Sequence, residues 1–489
     1  MSGEQILVID EGTTSTRAML FATDGRCLAS AGREIAQHYP EDGWVEHDPE
    51  EIWLASLASA HEALDATGGA AGVACIGITN QRETIVFWDR RTGRPLAPAI
   101  VWQDRRTAGL CAELKEAGHE AAVRAKTGLL LDPYFSGSKI AWALANWPQL
   151  REAGEHLCVG TVESWLVFRL TGGLHVTDAT NASRTALMDI HKGAWDDGLC
   201  DLFGVPKVAL PEIVDCAGDW ATTDPDLFGR AIPIAGMAGD QQAAAIGQIC
   251  FHPGDTKATY GTGAFVLTNT GAEAPVSAHR LLTTVAWQIG GRRAYAIEGS
   301  VFVAGSIVKW LRDALGLIGT SAESAALARS VTDNKGVYLV PAHVGLGAPW
   351  WRPEARGAIS GLSFGAGKAH VVRAALEAQA HQTHDLMTAF AADGANWSRL
   401  RIDGGMAAND WIAQDLADML GIEVERPAFV ETTAIGAAML AGLGCGLFGA
   451  LEDAAAMRGP VERFQPAMAP EVRAERLAGW KRAVAGVLA

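Results

Sequence analysis

The chain opens on four consecutive apolar β-formers, Ile6-Leu7-Val8-Ile9. They run into Asp10, then Gly12-Thr13-Thr14-Ser15-Thr16-Arg17, before a second apolar run from Ala18 to Phe21. This pattern predicts strand, tight turn, strand, with Asp10 at the strand end. Gly12 and the hydroxyls around it can bring N–H and O–H donors close to an anion. A carboxylate beside such a nest suits a Mg²⁺–polyphosphate ligand, because Mg²⁺ keeps its waters and takes few protein oxygens. An ordinary hairpin with a polar turn fits these residues equally well. Thr23-Asp24-Gly25-Arg26 is a second turn signal, and Cys27 to Ser30 completes a three-strand meander. Asp48-Pro49-Glu50-Glu51 then opens a helix through about Asp65, with Asp48 as cap, Pro49 at the first helical position and Glu51 as capping-box acid. His47 beside it stands alone and is read as structural.

Val73 to Thr79 is a further apolar strand, running straight into Asn80-Gln81-Arg82-Glu83. Ligand groups in α/β sheets sit just past such strand ends. A cation and an anion side by side can both donate to and accept from the hydroxyls of a polyol; a solvated salt bridge is the alternative. Trp102 and Tyr134, each beside polar residues, can pack on the carbon faces of such a ligand. Ile232 to Ala244 reads as strand, glycine turn, acid, helix. Asp240 thus sits at a strand-to-helix junction, where a helix N-terminus favours its charged form and a substrate can reach it. An N-cap role for Asp240 is compatible with that. A Pro253-Gly254 turn opens a second unit. In it Thr256 to Leu267 repeats the opening pattern of strand, Gly/Thr turn and strand. Two such hairpins suggest two similarly built domains closing on one nucleotide. No G-x-x-x-x-G-K-[ST] loop occurs, which disfavours a P-loop architecture. Val372 to about Ala391 reads as a packing helix; His381 and His384 lie on it, and Glu377 and Asp385 do not complete a metal motif.

A length of 489 residues predicts two or three domains and an inter-domain cleft. The net charge of −16 argues against general nucleic-acid binding, which needs a basic face, but not against a nucleotide held by local groups. The eight cysteines are scattered without a C-x-x-C pair, and no signal-peptide pattern is present, so reduced thiols and a cytoplasmic location are expected. The uncharged stretch from Ala434 to Leu451 raises the question of a membrane span. Glycines 442, 444 and 446 interrupt it, and the expectation is a short buried helix ending near Gly442, then a turn.

Several fragments, in this order and spacing, resemble the FGGY carbohydrate kinases of the actin/hexokinase/heat-shock ATPase clan. They are Gly12-Thr13-Thr14 after Asp10, Gly43 to Pro49, Ile78 to Thr84, Trp102-Gln103, and Asp132 to Gly137. Gly236 to Gln242, Tyr260 to Phe265, Gly345 to Gly357 and Asp403-Gly404-Gly405 continue the resemblance to the second half. It implies an α/β fold of two actin-like (ribonuclease H-like) domains, each a mixed β-sheet flanked by helices, around a catalytic cleft. The expected domains are residues 1–249, with the polyol site and first phosphate hairpin, and 250–489, with the second hairpin and the adenosine site. The branch most resembled phosphorylates glycerol with ATP and Mg²⁺. By that resemblance glycerol contacts Arg82, Glu83, Trp102, Tyr134, Asp240, Gln241 and Phe265, with Asp240 as general base. The nucleotide contacts Thr13, Thr14, Ser15, Arg17, Thr262, Gly305, Gly405 and Asn409, and Asp10 organises Mg²⁺ through water. A homodimer or homotetramer, with no nucleic-acid partner and no membrane insertion, is implied in the same way.

Some positions depart from that pattern. Glu11 stands where Gln is common, and predicts an extra negative charge next to Asp10 and the phosphates. Lys309 replaces a frequent Gln, and Arg352 a frequent Asp. Residues 216–230 lack the Gly-Gly-Lys-Gly-Gly loop that binds fructose 1,6-bisphosphate in enteric members, and the phosphorylated His of Gram-positive members is also missing, so neither control is expected. Two other readings stay open: a kinase for another polyol or sugar such as erythritol or xylulose, and a non-catalytic ATP-dependent scaffold. A small pocket of Trp102, Tyr134 and Phe265 favours a three-carbon substrate over the first; the presence of both Asp10 and Asp240 argues against the second.

Overall fold

The computed structural model describes residues 4–352 and 354–489; Pro353, within the Gly345 to Gly357 signature, lies outside the described residues. The strand runs read from the apolar pattern join further strands that were not read from it in one continuous sheet. Its members are β1 (Gln5–Glu11), β2 (Ser15–Ala22), β3 (Cys27–Glu34), β4 (Val73–Asn80), β5 (Ala217–Thr222), β6 (Pro233–Gly239), β7 (Thr256–Tyr260), β8 (Ala264–Gly271), β9 (Leu282–Ile289), β10 (Arg292–Val301), β11 (Arg399–Asp403), β12 (Glu423–Pro427) and β13 (Val461–Phe464). The spatial order is β13-β12-β11-β7-β8-β10-β9-β5-β6-β4-β1-β2-β3.

Within that order one plan occurs twice. In the first half, β3-β2-β1 is an antiparallel meander, and β4 and then β6 add parallel to its first strand. In the second half, β10-β8-β7 is the meander, and β11 and β12 add parallel. The repeat expected from the two hairpins is therefore a repeat of whole sheets, as in two actin-like units. The two sheets are joined by β5 and β9, which share a single pair, Ala217 with Ile289. A separate four-stranded sheet of Glu46–His47, Ala99–Ile100, Ile85–Asp89 and Leu157–Thr161 stands beside the first unit and frames Trp102 and the Arg82–Glu83 turn.

Helix α1 (Pro49–Asp65) begins as expected, with Asp48 accepting from the Glu50 N–H. The expected capping box does not close: the Glu51 carboxylate accepts instead from the Ala36 N–H, 3.1 Å away, and so ties the helix to the loop before it. His47 is structural, its Nδ1 2.9 Å from the Ala36 carbonyl.

Helix α2 (Asp240–Gly247) follows β6 directly, and α6 (Thr432–Gly444) crosses it. Helices α3 (Gly305–Asp313), α4 (Lys368–Ala392) and α5 (Asp410–Leu420) cover the second sheet, and α7 (Pro470–Leu488) ends the chain. The α2–α6 crossing is backbone on backbone. A Cβ on Gly436 would lie 1.8 Å from the Ala243 carbonyl, and one on Gly247 2.0 Å from that of Thr432. The uncharged stretch is thus a helix, two residues longer than expected, buried in one core with Ile6, Val8 and Ala238. No helix among the described residues is long and apolar enough to cross a membrane. On α4, His381 stacks on Trp480 of α7 with ring centroids 5.1 Å apart.

Candidate active site

The two Gly/Thr turns join β1 to β2 and β7 to β8. In the first, the Gly12 N–H bonds the Ser15 carbonyl at 3.0 Å, Thr13 Oγ1 accepts from Trp102 Nε1 at 2.9 Å, and Thr14 is exposed. In the second, Gly261 bonds Gly263 across the turn, while the Ala304 N–H and Ser306 hydroxyl close on the Thr262 carbonyl. Gly305 donates to the Gly261 carbonyl, and a Cβ there would stand 2.5 Å from that oxygen, so glycine lets α3 start against the hairpin. The Gly404–Gly405 turn leaves β11 beside the end of β7, with Gly405 open to solvent, and Asn409 caps α5 through the Trp411 N–H. Arg17, on β2, reaches across the chain to Glu431 at the start of α6, with Nη1 2.6 Å from Oε1. The residues expected to hold a nucleotide thus lie on or beside the two hairpin turns, and Glu431, which the sequence did not point to, pairs with one of them.

The polyol residues converge beside the first hairpin. Gln81 ties the turn after β4 to that hairpin, its N–H on the Glu11 carbonyl and its side-chain amide on that of Gly12. Glu83 has a φ of +63°, a left-handed backbone that a non-glycine residue adopts only where its surroundings hold it. Here Ser136 Oγ donates to its carbonyl at 3.0 Å. The consequence is that Arg82 and Glu83 both turn inward. Trp102, Tyr134 and Phe265 form the expected aromatic wall, with Trp102 5.6 Å from Tyr134 and 6.4 Å from Phe265, edge to face. Buried Lys139 holds the Pro133 and Tyr134 carbonyls and fixes that ring from below.

Arg82 and Glu83 are not a solvated pair; they are half of a closed square of charge. Arg82 Nη1 is 2.6 Å from Glu298 Oε2, Glu298 Oε1 is 3.0 Å from Arg184 Nη2, Arg184 Nε is 2.6 Å from Glu83 Oε1, and Glu83 Oε1 is 4.0 Å from Arg82 Nε. None of the four side chains exceeds 2% exposure. Burial pushes the Glu298 carboxyl up, but the Arg184 and Arg82 guanidinium groups outweigh it and hold it down at about 2. Asp240 adjoins the square, with Oδ1 3.3 Å from Arg82 Nε, and at 35% exposure it is the member that opens to the cleft. The helix cap is Gly239, not Asp240; Asp240 is the first helical residue, and its Oδ1 accepts from the Gln241 N–H at 2.7 Å. Glu298, Arg184 and Gln242, which also accepts from Arg82, were not legible as site residues.

Asp10 ends β1 facing the same space. Burial, then the charges of Glu431 and Asp240, push its carboxyl up to about 7, and Arg17 only partly offsets them. Charge on Asp10 is disfavoured by burial and by Glu431 and Asp240, which a hydrated divalent cation held through water would relieve; among the described residues no three such side chains are grouped to ligate a metal directly.

Glu11 is elsewhere than expected. Alternation along β1 turns it away from Asp10 and under α1, where it is fully buried and accepts from Ser56 Oγ at 2.9 Å, while Oε1 has no partner among the described residues. Burial pushes its carboxyl up to about 8, so at neutral pH it is an uncharged group shaped like the Gln it replaces. An unfolded chain releases this proton near 4.5, whereas the folded one keeps it to about 8. The folded state therefore binds more protons through that window, and stability falls as pH rises across it. Glu11→Gln is expected to match the parent in urea denaturation at pH 4.5 and to be more stable at pH 8.5. An equal midpoint at both pH values would show that Glu11 is charged in the fold.

Comparison with known proteins places this arrangement. The model of the FGGY carbohydrate kinase N-terminal domain matches residues 5–247, and that of the C-terminal domain matches residues 256–445. The chain is 57% identical to the glycerol kinase of Methylobacterium nodulans, covering 99% of this chain and 98% of that protein. It is 54% identical to the glycerol kinase of Rhodospirillum centenum, covering 98% and 97%. Among solved structures, Plasmodium falciparum glycerol kinase with ADP superposes with a TM-score of 0.94 at 35% identity, covering 100% of this chain and 99% of that one. With both of its halves matched and its whole fold superposing on a relative, the chain belongs to the FGGY family of carbohydrate kinases.

Proposed function

We propose that this chain transfers the γ-phosphoryl group of ATP to a primary hydroxyl of glycerol, giving sn-glycerol 3-phosphate and ADP. The observation that carries the reading is the cluster of the Trp102, Tyr134 and Phe265 rings beside the Arg82–Glu83 pair, with the half-exposed Asp240 carboxylate 3.3 Å from Arg82. Its similarity over nearly the whole chain to two glycerol kinases supports it.

In this reading Arg82 donates to, and Glu83 accepts from, the glycerol hydroxyls. The rings and Gln241 line the rest. Asp240 accepts the proton of the attacking hydroxyl as the bond to phosphorus forms. The jaws are residues 1–249 and 250–489. Thr13, Thr14, Ser15 and Arg17 of one, and Thr262, Gly305, Gly405 and Asn409 of the other, hold the nucleotide between them. Asp10, with Glu431 and Asp240 near it, would hold Mg²⁺ through water, and that ion would neutralise charge on the phosphates. Positioning and charge neutralisation supply most of the acceleration, since phosphoryl transfer is loose and needs little covalent help. Closing the jaws keeps out water, a competing acceptor. The scattered, unpaired cysteines support a cytoplasmic location, and the resemblance alone supports a homodimer or homotetramer.

The test is ADP release with glycerol, erythritol, xylulose and ribulose as acceptors. Glycerol is expected to give the highest kcat/KM. A higher value for a longer acceptor would reassign the substrate, and no stimulation by any of them would favour a non-catalytic ATP-binding protein.

A further inference from the structure

Lys257, on β7, is fully buried, and no motif points to it. Asp403 from β11, Asp240 from α2 and Glu298 from β10 surround it with negative charge, and Arg82 adds the opposing positive one. Its Nζ donates to Gln241 Oε1 at 2.5 Å and to Thr259 Oγ1 at 2.9 Å. Gln241 in turn makes two bonds to its neighbour: its N–H to Asp240 Oδ1 at 2.7 Å and its Nε2 to Asp240 Oδ2 at 3.3 Å. Both carboxylate oxygens are thereby held by one residue, and that residue is held by Lys257.

An amide side chain has one accepting end and one donating end. With the oxygen taken by an ammonium, which can only donate, the Gln241 amide must turn its N–H to Asp240. Without the ammonium the amide loses the anchor on its oxygen, and the side chain that holds Asp240 Oδ2 is free to swing, so the carboxylate plane is no longer fixed against the acceptor hydroxyl.

We propose that Lys257 is a positioning residue for phosphoryl transfer, fixing through the Gln241 amide the plane of the Asp240 carboxylate that faces the acceptor. This rests on the reading of Asp240 as the base. Lys257 sits on the strand leading into the second hairpin and reaches the acceptor only through Gln241, which lines the pocket in the same reading, so its effect falls mainly on turnover, less on the glycerol KM and least on the KM for ATP.

The experiment is a double-mutant cycle with Lys257→Met and Asp240→Asn, read as kcat and as KM for glycerol and for ATP. Lys257→Met is expected to lower kcat by about 10- to 100-fold, the scale of a small misplacement at a reacting group. The KM for ATP is expected to stay within about twofold and that for glycerol to change by less than kcat does, and adding the change to Asp240→Asn is expected to cost less than about twofold more in kcat. Lys257→Arg, which keeps a donor-only cation, is expected to recover most of the lost turnover; it also carries the test should the Met variant fail to fold. An unchanged kcat in Lys257→Met, or a full multiplicative loss in the double variant, would overturn the positioning role. Near-normal turnover in Asp240→Asn alone would instead overturn the base itself.

Discussion

Asp240→Asn is expected to lower turnover by about 10²–10⁴-fold, the range typical of a lost general base, while ATP affinity and glycerol KM change little. The expected split follows from the surroundings of the side chain. Asn keeps the shape and an oxygen for the Gln241 N–H, so the start of α2 is undisturbed. Arg82 keeps its bonds to Glu298 and Gln242, so the polyol floor remains in place. The residues proposed to hold the nucleotide lie on the two hairpins, at the start of α3 and in the turn before α5, and none of them bonds Asp240. What is lost is the half-exposed carboxylate beside Arg82 that the proposed reading makes the base. Steady-state kinetics together with calorimetric titration of ATP checks this, and turnover near that of the parent would end the assignment.

How much of this was written in the sequence depends on the range of the interaction. The hairpins, α1, the β6–α2 junction and the aromatic residues were legible, because each is declared within a dozen residues by apolar runs, turn glycines or a cap. The charge square was only half legible. Arg82 and Glu83 announce themselves at a strand end, but Glu298 lies in the apolar run of β10 and meets Arg82 across a separation of 216 residues, which no local pattern encodes. Arg184 and Glu431 were hidden for the same reason. Glu11 is a different case. It reads as a charge beside Asp10 only if the neighbours share a face, and in a strand they do not; the period of two was available, but the fact that α1 covers that face was not. Glu51 similarly satisfied a local capping rule and was drawn to a nonlocal N–H instead.

Glu298→Gln tests whether the second half of the chain holds the substrate floor of the first. Both Glu298 oxygens accept from guanidinium groups, Oε2 from Arg82 and Oε1 from Arg184. A glutamine of the same size replaces one acceptor with an N–H pointed at a donor, and leaves two arginines facing a single remaining carboxylate, Glu83. Breaking a buried ion pair from one side costs about 3–5 kcal/mol, and nothing within this dry square can offset the excess positive charge. Arg82 then has Asp240 as its nearest acid. It is expected to close on that carboxylate, withdrawing from the polyol and blocking the base together. The expected result is a lower denaturation midpoint, a glycerol KM raised by about tenfold or more, equivalent to about 1.4 kcal/mol, and a fall in kcat, with ATP affinity retained. Bound glycerol should restore part of the lost stability by mass action, so the midpoint should rise with glycerol concentration less steeply than in the parent. A variant with the parent's glycerol KM and midpoint would mean that the square is incidental packing and that Arg82 is positioned by Gln242 and Asp240 alone.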